Sequence, residues 1–180
     1  VRRFPVARER DPREFADWSQ RIFKRPHSVR GELAWLEAEG PASPALVQYI
    51  EANQAAYDFF VFFSVRYYHA YHGARTVPGK AILVPTAERD AALGLGIFGP
   101  IFRGVRALMY NSFEERALIQ AVSKNDSVPG VVVGVGSQIP ERTEPGRFRQ
   151  KFELSHRFAV YVGRIDENKG CRELFDFFEN

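Results

Sequence analysis

Four apolar runs, over residues 58–64, 80–85, 105–110 and 130–136, constrain the fold of this chain more than any other feature. Asp58-Phe59-Phe60-Val61-Phe62-Phe63-Ser64 shows no polar alternation, and neither does Lys80-Ala81-Ile82-Leu83-Val84-Pro85 or Val105-Arg106-Ala107-Leu108-Met109-Tyr110. A strand with one wet face alternates, whereas an unalternated run is the pattern of a strand covered on both faces in a parallel sheet. Helical patterns separate the runs. Residues 67–73 read as a short helix closed by Gly73, residues 91–102 as an irregular, glycine-broken helix, and Ser112-Phe113-Glu114-Glu115 as a capping box that opens a helix. Strands alternating with helices predict a doubly wound, mostly parallel α/β sheet with flanking helices.

Ahead of this unit, residues 1–6 read as a short strand ended by Pro5. Asp11-Pro12 then places an N-cap and a proline at a helix start, and Phe15, Trp18, Ile22 and Phe23 give one apolar face before Pro26. A second helix over 29–39 stops at Gly40-Pro41, and Ser43-Pro44 repeats the cap-plus-proline signal for a third. Three helices in succession predict a helical insertion spanning residues 11–55. Beyond the fourth run, residues 137–146, with two prolines among charged residues, read as a linker, and residues 147–154 as a short helix with Phe148 and Phe152 inward.

Composition enters at three points. With 45% hydrophobic residues and 16 Phe, the chain has ample material for a core, which excludes disorder. Residues 1–30 hold nine Arg or Lys against four Asp or Glu, so +5 of charge sits there and −2 on the rest of a chain whose net charge is +3. Such a basic segment suits nucleic acid, anionic headgroups or phosphorylated substrates, or is simply a solvated helix face. A single Cys gives no disulfide framework, and no apolar run approaches the roughly 18–20 residues that span a bilayer. The chain starts without Met inside what reads as a strand, so a fragment of a longer protein is expected.

Near the C-terminus, Phe158-Ala159-Val160-Tyr161-Val162-Gly163-Arg164-Ile165-Asp166-Glu167-Asn168-Lys169-Gly170-Cys171 reads as strand, polar loop and helix start. At such a corner the helix offers free N–H groups and the positive end of its dipole, which favours anions. Gly163 allows a tight turn, Arg164 a planar fork for phosphate oxygens, Lys169 a point charge, and Gly170 close approach. The same spacing also describes an ordinary strand-to-helix turn with solvated charges.

Other chemistry is thinly signalled. No GxGxxG follows a strand and no GxxxxGK[ST] occurs; Gly94-Leu95-Gly96-Ile97-Phe98-Gly99 follows no strand. His69 and His72 stand three apart without a third ligand and read as surface or interface histidines. Ser64, Thr86, Ser112 and Ser137 sit at strand ends without a His and acid in context. Glu88, Arg89 and Asp90, at the carboxyl end of the second run, are placed to touch a ligand or to form a solvated loop.

Taken together these segments resemble the retaining glycosyltransferases of the GT-B fold, family 4 (glycosyl transferases group 1). Tyr161-Val162-Gly163-Arg164-Ile165-Asp166-x-x-Lys169-Gly170 resembles the start of that family's nucleotide-sugar domain. Tyr110-Asn111-Ser112-x-Glu114-Glu115 and Val131-Val132-Val133-Gly134-Val135-Gly136 resemble the turn and the last strand of its acceptor domain. The resemblance implies a Rossmann-like acceptor-domain portion over 1–136, an interdomain linker over 137–157, and the start of the donor domain over 158–180. It implies that Arg164 and Lys169 bind the donor diphosphate and stabilise the leaving group, with Gly163 and Gly170 shaping the loop.

The implied reaction moves a sugar from a nucleotide-diphosphate donor to a glycan or other hydroxyl acceptor with retention, with no obligatory cofactor, no metal and no nucleic acid. The implied setting is cytoplasmic, with peripheral membrane association allowed; the oligomeric state is open. Relatives often carry a His-Asp pair where this chain reads Thr86-Ala87-Glu88-Arg89-Asp90, which leaves Glu88 and Asp90 as the acceptor-side residues. A second pair of glutamates in the donor domain falls outside residues 1–180, so the segment alone is not expected to transfer sugar. A non-catalytic sugar-binding relative, or an epimerase or phosphorylase-like enzyme, are the alternatives.

Overall fold

The computed structural model describes residues 1–163, 165 and 169–179, and divides into two compact units, Val1–Gly136 and Ser137–Asn180. The first unit begins with three helices: α1 (Pro12–Lys24), α2 (Val29–Glu39) and α3 (Pro44–Asn53). Each start has a local cause. Asp11 accepts from the Arg13 and Glu14 amides, and Ser28 accepts from Gly31. Ser43 departs from the expectation, because its hydroxyl caps nothing and donates instead to the Pro5 carbonyl at 2.8 Å. That bond, with an isolated antiparallel bridge between Arg8 and Ala42, fastens the N-terminal segment without a strand over residues 1–6. Pro5 has no N–H to offer a ladder there.

The sheet follows as β1 (Phe60–Phe63), α4 (Tyr68–Thr76), β2 (Ala81–Val84), α5 (Phe98–Gly104), β3 (Ala107–Tyr110), α6 (Phe113–Ser123) and β4 (Gly130–Val132). Its order is β1-β2-β3-β4 and every pairing is parallel. The chain is therefore α/β, with a four-stranded parallel sheet flanked by helices. Among the described residues it is not doubly wound. When successive strands add on the same side and each crossover is right-handed, every crossover helix lands on one face.

Burial follows that rule. Phe62, Leu83, Leu108 and Tyr110, in register on one face, are buried under α4, α5 and α6 with Tyr71, Phe98, Phe102 and Ile119. On the opposite face the two edge strands carry Val61, Phe63 and Val131, all at least half exposed, while Val84 of the inner strand β2 is buried. The expected double cover of β1 is thus replaced by an edge strand with one buried face, and β4 ends at Val132 rather than continuing to residue 136.

Gly73 was expected to close α4, yet the helix runs on to Thr76. The glycine serves packing: a Cβ at this position would lie 2.4 Å from Phe62 Cε1, so only glycine lets α4 approach β1 this closely. Trp35 and Leu36 of α2 are fully buried, with Phe15 and Phe23 of α1 packed against the Trp35 ring at 5.6 Å.

In the second unit, the described residues include the helices α7 (Pro145–Lys151) and α8 (Cys171–Glu179). Phe148 stands 4.7 Å from Phe152 and 5.8 Å from Phe158, forming a small aromatic cluster in which all three rings remain partly exposed. Residues 158–162 form no strand, contrary to the expectation. A β-strand exists by pairing, and among the described residues none pairs with this segment; Val160 and Val162 are exposed.

Candidate functional site

The carboxyl end of the sheet gathers polar groups from three loops of the first unit. Ser64, just after β1, and Thr86, just after β2, both adopt left-handed backbone conformations with φ of 62° and 49°. A β-branched residue there is strained by about 1–3 kcal/mol, a kind of strain that concentrates at ligand sites. The two residues face each other, with the Thr86 hydroxyl donating to Ser64 Oγ at 2.6 Å. The backbone is held by Ser64 N–H to the Val84 carbonyl at 2.9 Å and Val65 N–H to the Pro85 carbonyl at 3.1 Å.

Close by in the fold, Glu115 is a buried carboxylate in the first turn of α6 whose partners lie in the loops after β2 and β3. Ser112 caps the helix by accepting the Glu115 amide at 3.1 Å, as a capping box requires. The Glu115 side chain does something else. One oxygen accepts the Ala87 amide at 2.6 Å and the other the Asn111 amide at 2.5 Å, so a single carboxylate ties the loop after β2 to the loop after β3. Next in the sequence, Glu114 has its carboxyl held below the ordinary range by its own amide and then by the Ser112 hydroxyl.

Arg66 spans the other side of this edge. It donates to Asp90 at 2.9 Å and to the buried Glu39 at 3.4 Å, with its guanidinium 5.5 Å from the Trp35 ring. Asp90 also caps the short turn Ala91–Gly94 by accepting the Leu93 amide at 3.0 Å. This proposed acceptor-side residue is therefore engaged in holding the loop. Glu88, the other, is exposed in the same loop, and its carbonyl accepts the Asp90 amide at 2.9 Å.

In the second unit, Gly163, Lys169 and Gly170 are described, whereas Arg164 lies outside the described residues. Gly170 has φ of 64° and its carbonyl accepts the Leu174 amide at 3.1 Å, so α8 starts directly after a left-handed glycine. Lys169 is exposed immediately before that turn. The corner lacks its expected strand side.

His69 and His72 share α4 but not a site. Both are half-buried and desolvation pushes both imidazoles below their ordinary value. His69 stacks against Tyr67 at 6.0 Å, the His72 ring lies tilted 4.3 Å from that of Tyr68, and among the described residues no group of three His, Cys, Asp or Glu converges for a metal.

Sequence reasoning missed Glu115, Arg66 and the Ser64–Thr86 pair as working residues. Glu115 was visible only as a capping-box member, and its long-range role depends on β2 and β3 being neighbours. Chemically, this edge presents the paired Ser64 and Thr86 hydroxyls beside the exposed Glu88 and Asp90, which suits hydrogen bonding to a polyhydroxylated ligand. Among the described residues no helix is long and apolar enough to cross a membrane. Neither family models nor curated proteins nor solved structures yield a match to this chain.

Proposed function

We propose that this chain is part of a GT-B retaining glycosyltransferase, with residues 1–136 contributing to the acceptor-binding domain and residues 158–180 opening the donor-binding domain. The observation that carries the reading is the sequence Gly163-Arg164 to Lys169-Gly170 set directly before α8, with Gly170 itself in a left-handed conformation. Two cations on a short loop before a helix start suit the diphosphate of a nucleotide sugar, and would offset charge developing on the leaving nucleoside diphosphate. The parallel sheet, with Ser64, Thr86 and Glu88 at its carboxyl edge, supports an acceptor side for a hydroxyl-bearing glycan.

A sugar-binding module without transfer is the second reading. It is favoured by the engagement of Asp90 with Arg66 and Leu93, which commits one of the two acceptor-side carboxylates to holding its own loop. Titration calorimetry of nucleoside-diphosphate sugars into the full protein carrying this segment tests the proposal. One donor should bind and lose at least tenfold affinity in Arg164→Ala and in Lys169→Ala. Absence of any nucleotide binding, or binding indifferent to both changes, overturns it. Sugar transfer to a hydroxyl acceptor separates the enzyme from the binding module.

A further inference from the structure

The elbow between α1 and α2 carries a second concentration of positive charge, far in sequence from the loop before α8. A cavity of about 600 Å³ opens there, lined by Trp18, Arg21, Arg25, His27, Ser28 and Arg30 among others. Residues 18–31 contain Arg21, Lys24, Arg25 and Arg30 and not one carboxylate. Among the described residues these four cations form no ion pair, whereas Arg8, Arg10 and Arg66 each pair with a glutamate.

The nearest acids do not neutralise the cluster. Asp17 lines a neighbouring cavity of about 520 Å³ with Arg21, Lys24 and Arg25 but bonds to none of them. Glu32 turns inward, accepting the Ile97 amide at 2.9 Å and facing His27 Nε2 at 3.0 Å. The other ring nitrogen of His27 faces the Arg25 carbonyl at 3.1 Å, which fixes the ring in the cavity wall. The Arg21 guanidinium sits 5.3 Å from the Trp18 ring centre, presenting an aromatic face beside the cations.

Like charges gathered in a concavity repel one another and focus a positive potential into it. Guanidinium forks match phosphate oxygens in pairs, and an aromatic face packs the carbon skeleton that carries the phosphate. We propose that the α1–α2 elbow binds a phosphate-bearing ligand, with Arg25 and Arg30 as its principal contacts and Trp18 beside its organic part.

The test titrates inorganic pyrophosphate into the full chain by calorimetry, with tryptophan fluorescence reporting Trp18, and in parallel measures co-sedimentation with phosphatidylcholine vesicles with and without phosphatidylglycerol. Saturable pyrophosphate binding that weakens at least tenfold in Arg25→Gln/Arg30→Gln, but not in Arg13→Gln elsewhere on α1, supports a soluble phosphate ligand. Binding confined to phosphatidylglycerol vesicles, with the same dependence on Arg25 and Arg30, supports a lipid headgroup as the source. Should the glutamine pair misfold by circular dichroism, Arg25→Lys/Arg30→Lys keeps the charge and is expected to weaken binding by loss of the fork alone. No binding of either probe, binding unchanged in these pairs, or equal weakening by Arg13→Gln overturns the proposal.

Discussion

Replacing Glu115 should unfasten the carboxyl edge of the sheet in a graded way. Its two oxygens accept the Ala87 amide at 2.6 Å and the Asn111 amide at 2.5 Å from a buried position. Hydrogen bonds to a charged group contribute about 1.5–3 kcal/mol each. Glu115→Gln keeps one acceptor and turns an NH₂ toward the other amide, so about 1.5–3 kcal/mol should be lost. Glu115→Ala removes both acceptors. Because Ala87 and Asn111 are only half-buried, water can reach their amides, and the loss should be about 2–4 kcal/mol rather than the full sum. For a chain of this size each kcal/mol lowers Tm by about 2–4 °C. Urea unfolding gives the free energies, and amide hydrogen exchange at Ala87 and Asn111 should accelerate with them while that of Leu83 and Leu108 tracks global stability. An alanine variant within about 1 kcal/mol of the parent, or unchanged exchange at the two amides, would refute the claim that Glu115 couples these loops.

Two further outcomes follow from α4. His72 is pushed below the ordinary value of 6.5 by desolvation, and its Nε2 is buried without a hydrogen-bond partner among the described residues; the unfolded chain therefore takes up the proton first. The stability contributed by the neutral ring is complete above about pH 6.5 and declines as the pH falls through the lowered folded value, so His72→Phe should flatten the acid side of a urea-midpoint profile, and an unaltered profile would contradict this. Gly73→Ala gains about 1 kcal/mol of helix propensity but drives a methyl to 2.4 Å from Phe62 Cε1, an overpacking cost of about 1–3 kcal/mol. Net destabilisation relieved by a second change, Phe62→Leu, is the expected thermal-melt result; a stabilised single variant would show that the ring moves freely.

The order of elements was legible because the four apolar runs and the capping signals between them are local. Which side of the sheet is covered was not. Phe59, Phe60, Val61, Phe62 and Phe63 are apolar without alternation, the pattern of a doubly covered strand, yet only Phe62 among them is buried. Composition along a strand records what both faces would tolerate, while cover is decided by the direction in which successive strands are added. Gly73 misled for a related reason. A glycine late in a helical pattern signals a stop by its conformational freedom, but here it answers to an approach between α4 and β1 that no local window contains. The same holds for Glu115, whose spacing from Ser112 announces a helix start and says nothing of Ala87.

The segment from residue 158 to α8 separates the two kinds of information most clearly. Helix α8 forms from bonds within itself, beginning with Leu174 N–H to the Gly170 carbonyl, even though Phe175, Phe177 and Phe178 on it are exposed. Gly170, the residue before that helix, takes a left-handed conformation that glycine adopts without a Cβ clash. Residues 158–162 have the apolar, β-branched and aromatic composition of a buried strand, but a strand's backbone groups are satisfied only by a neighbour. Among the described residues that neighbour is missing, and the side chains stay exposed. The proposed phosphate site therefore has a helix side formed by α8 and a strand side that requires pairing. The nucleotide binding proposed for Arg164 and Lys169 should then depend on any change that lets residues 158–162 join a sheet, which calorimetry with a nucleotide sugar would read.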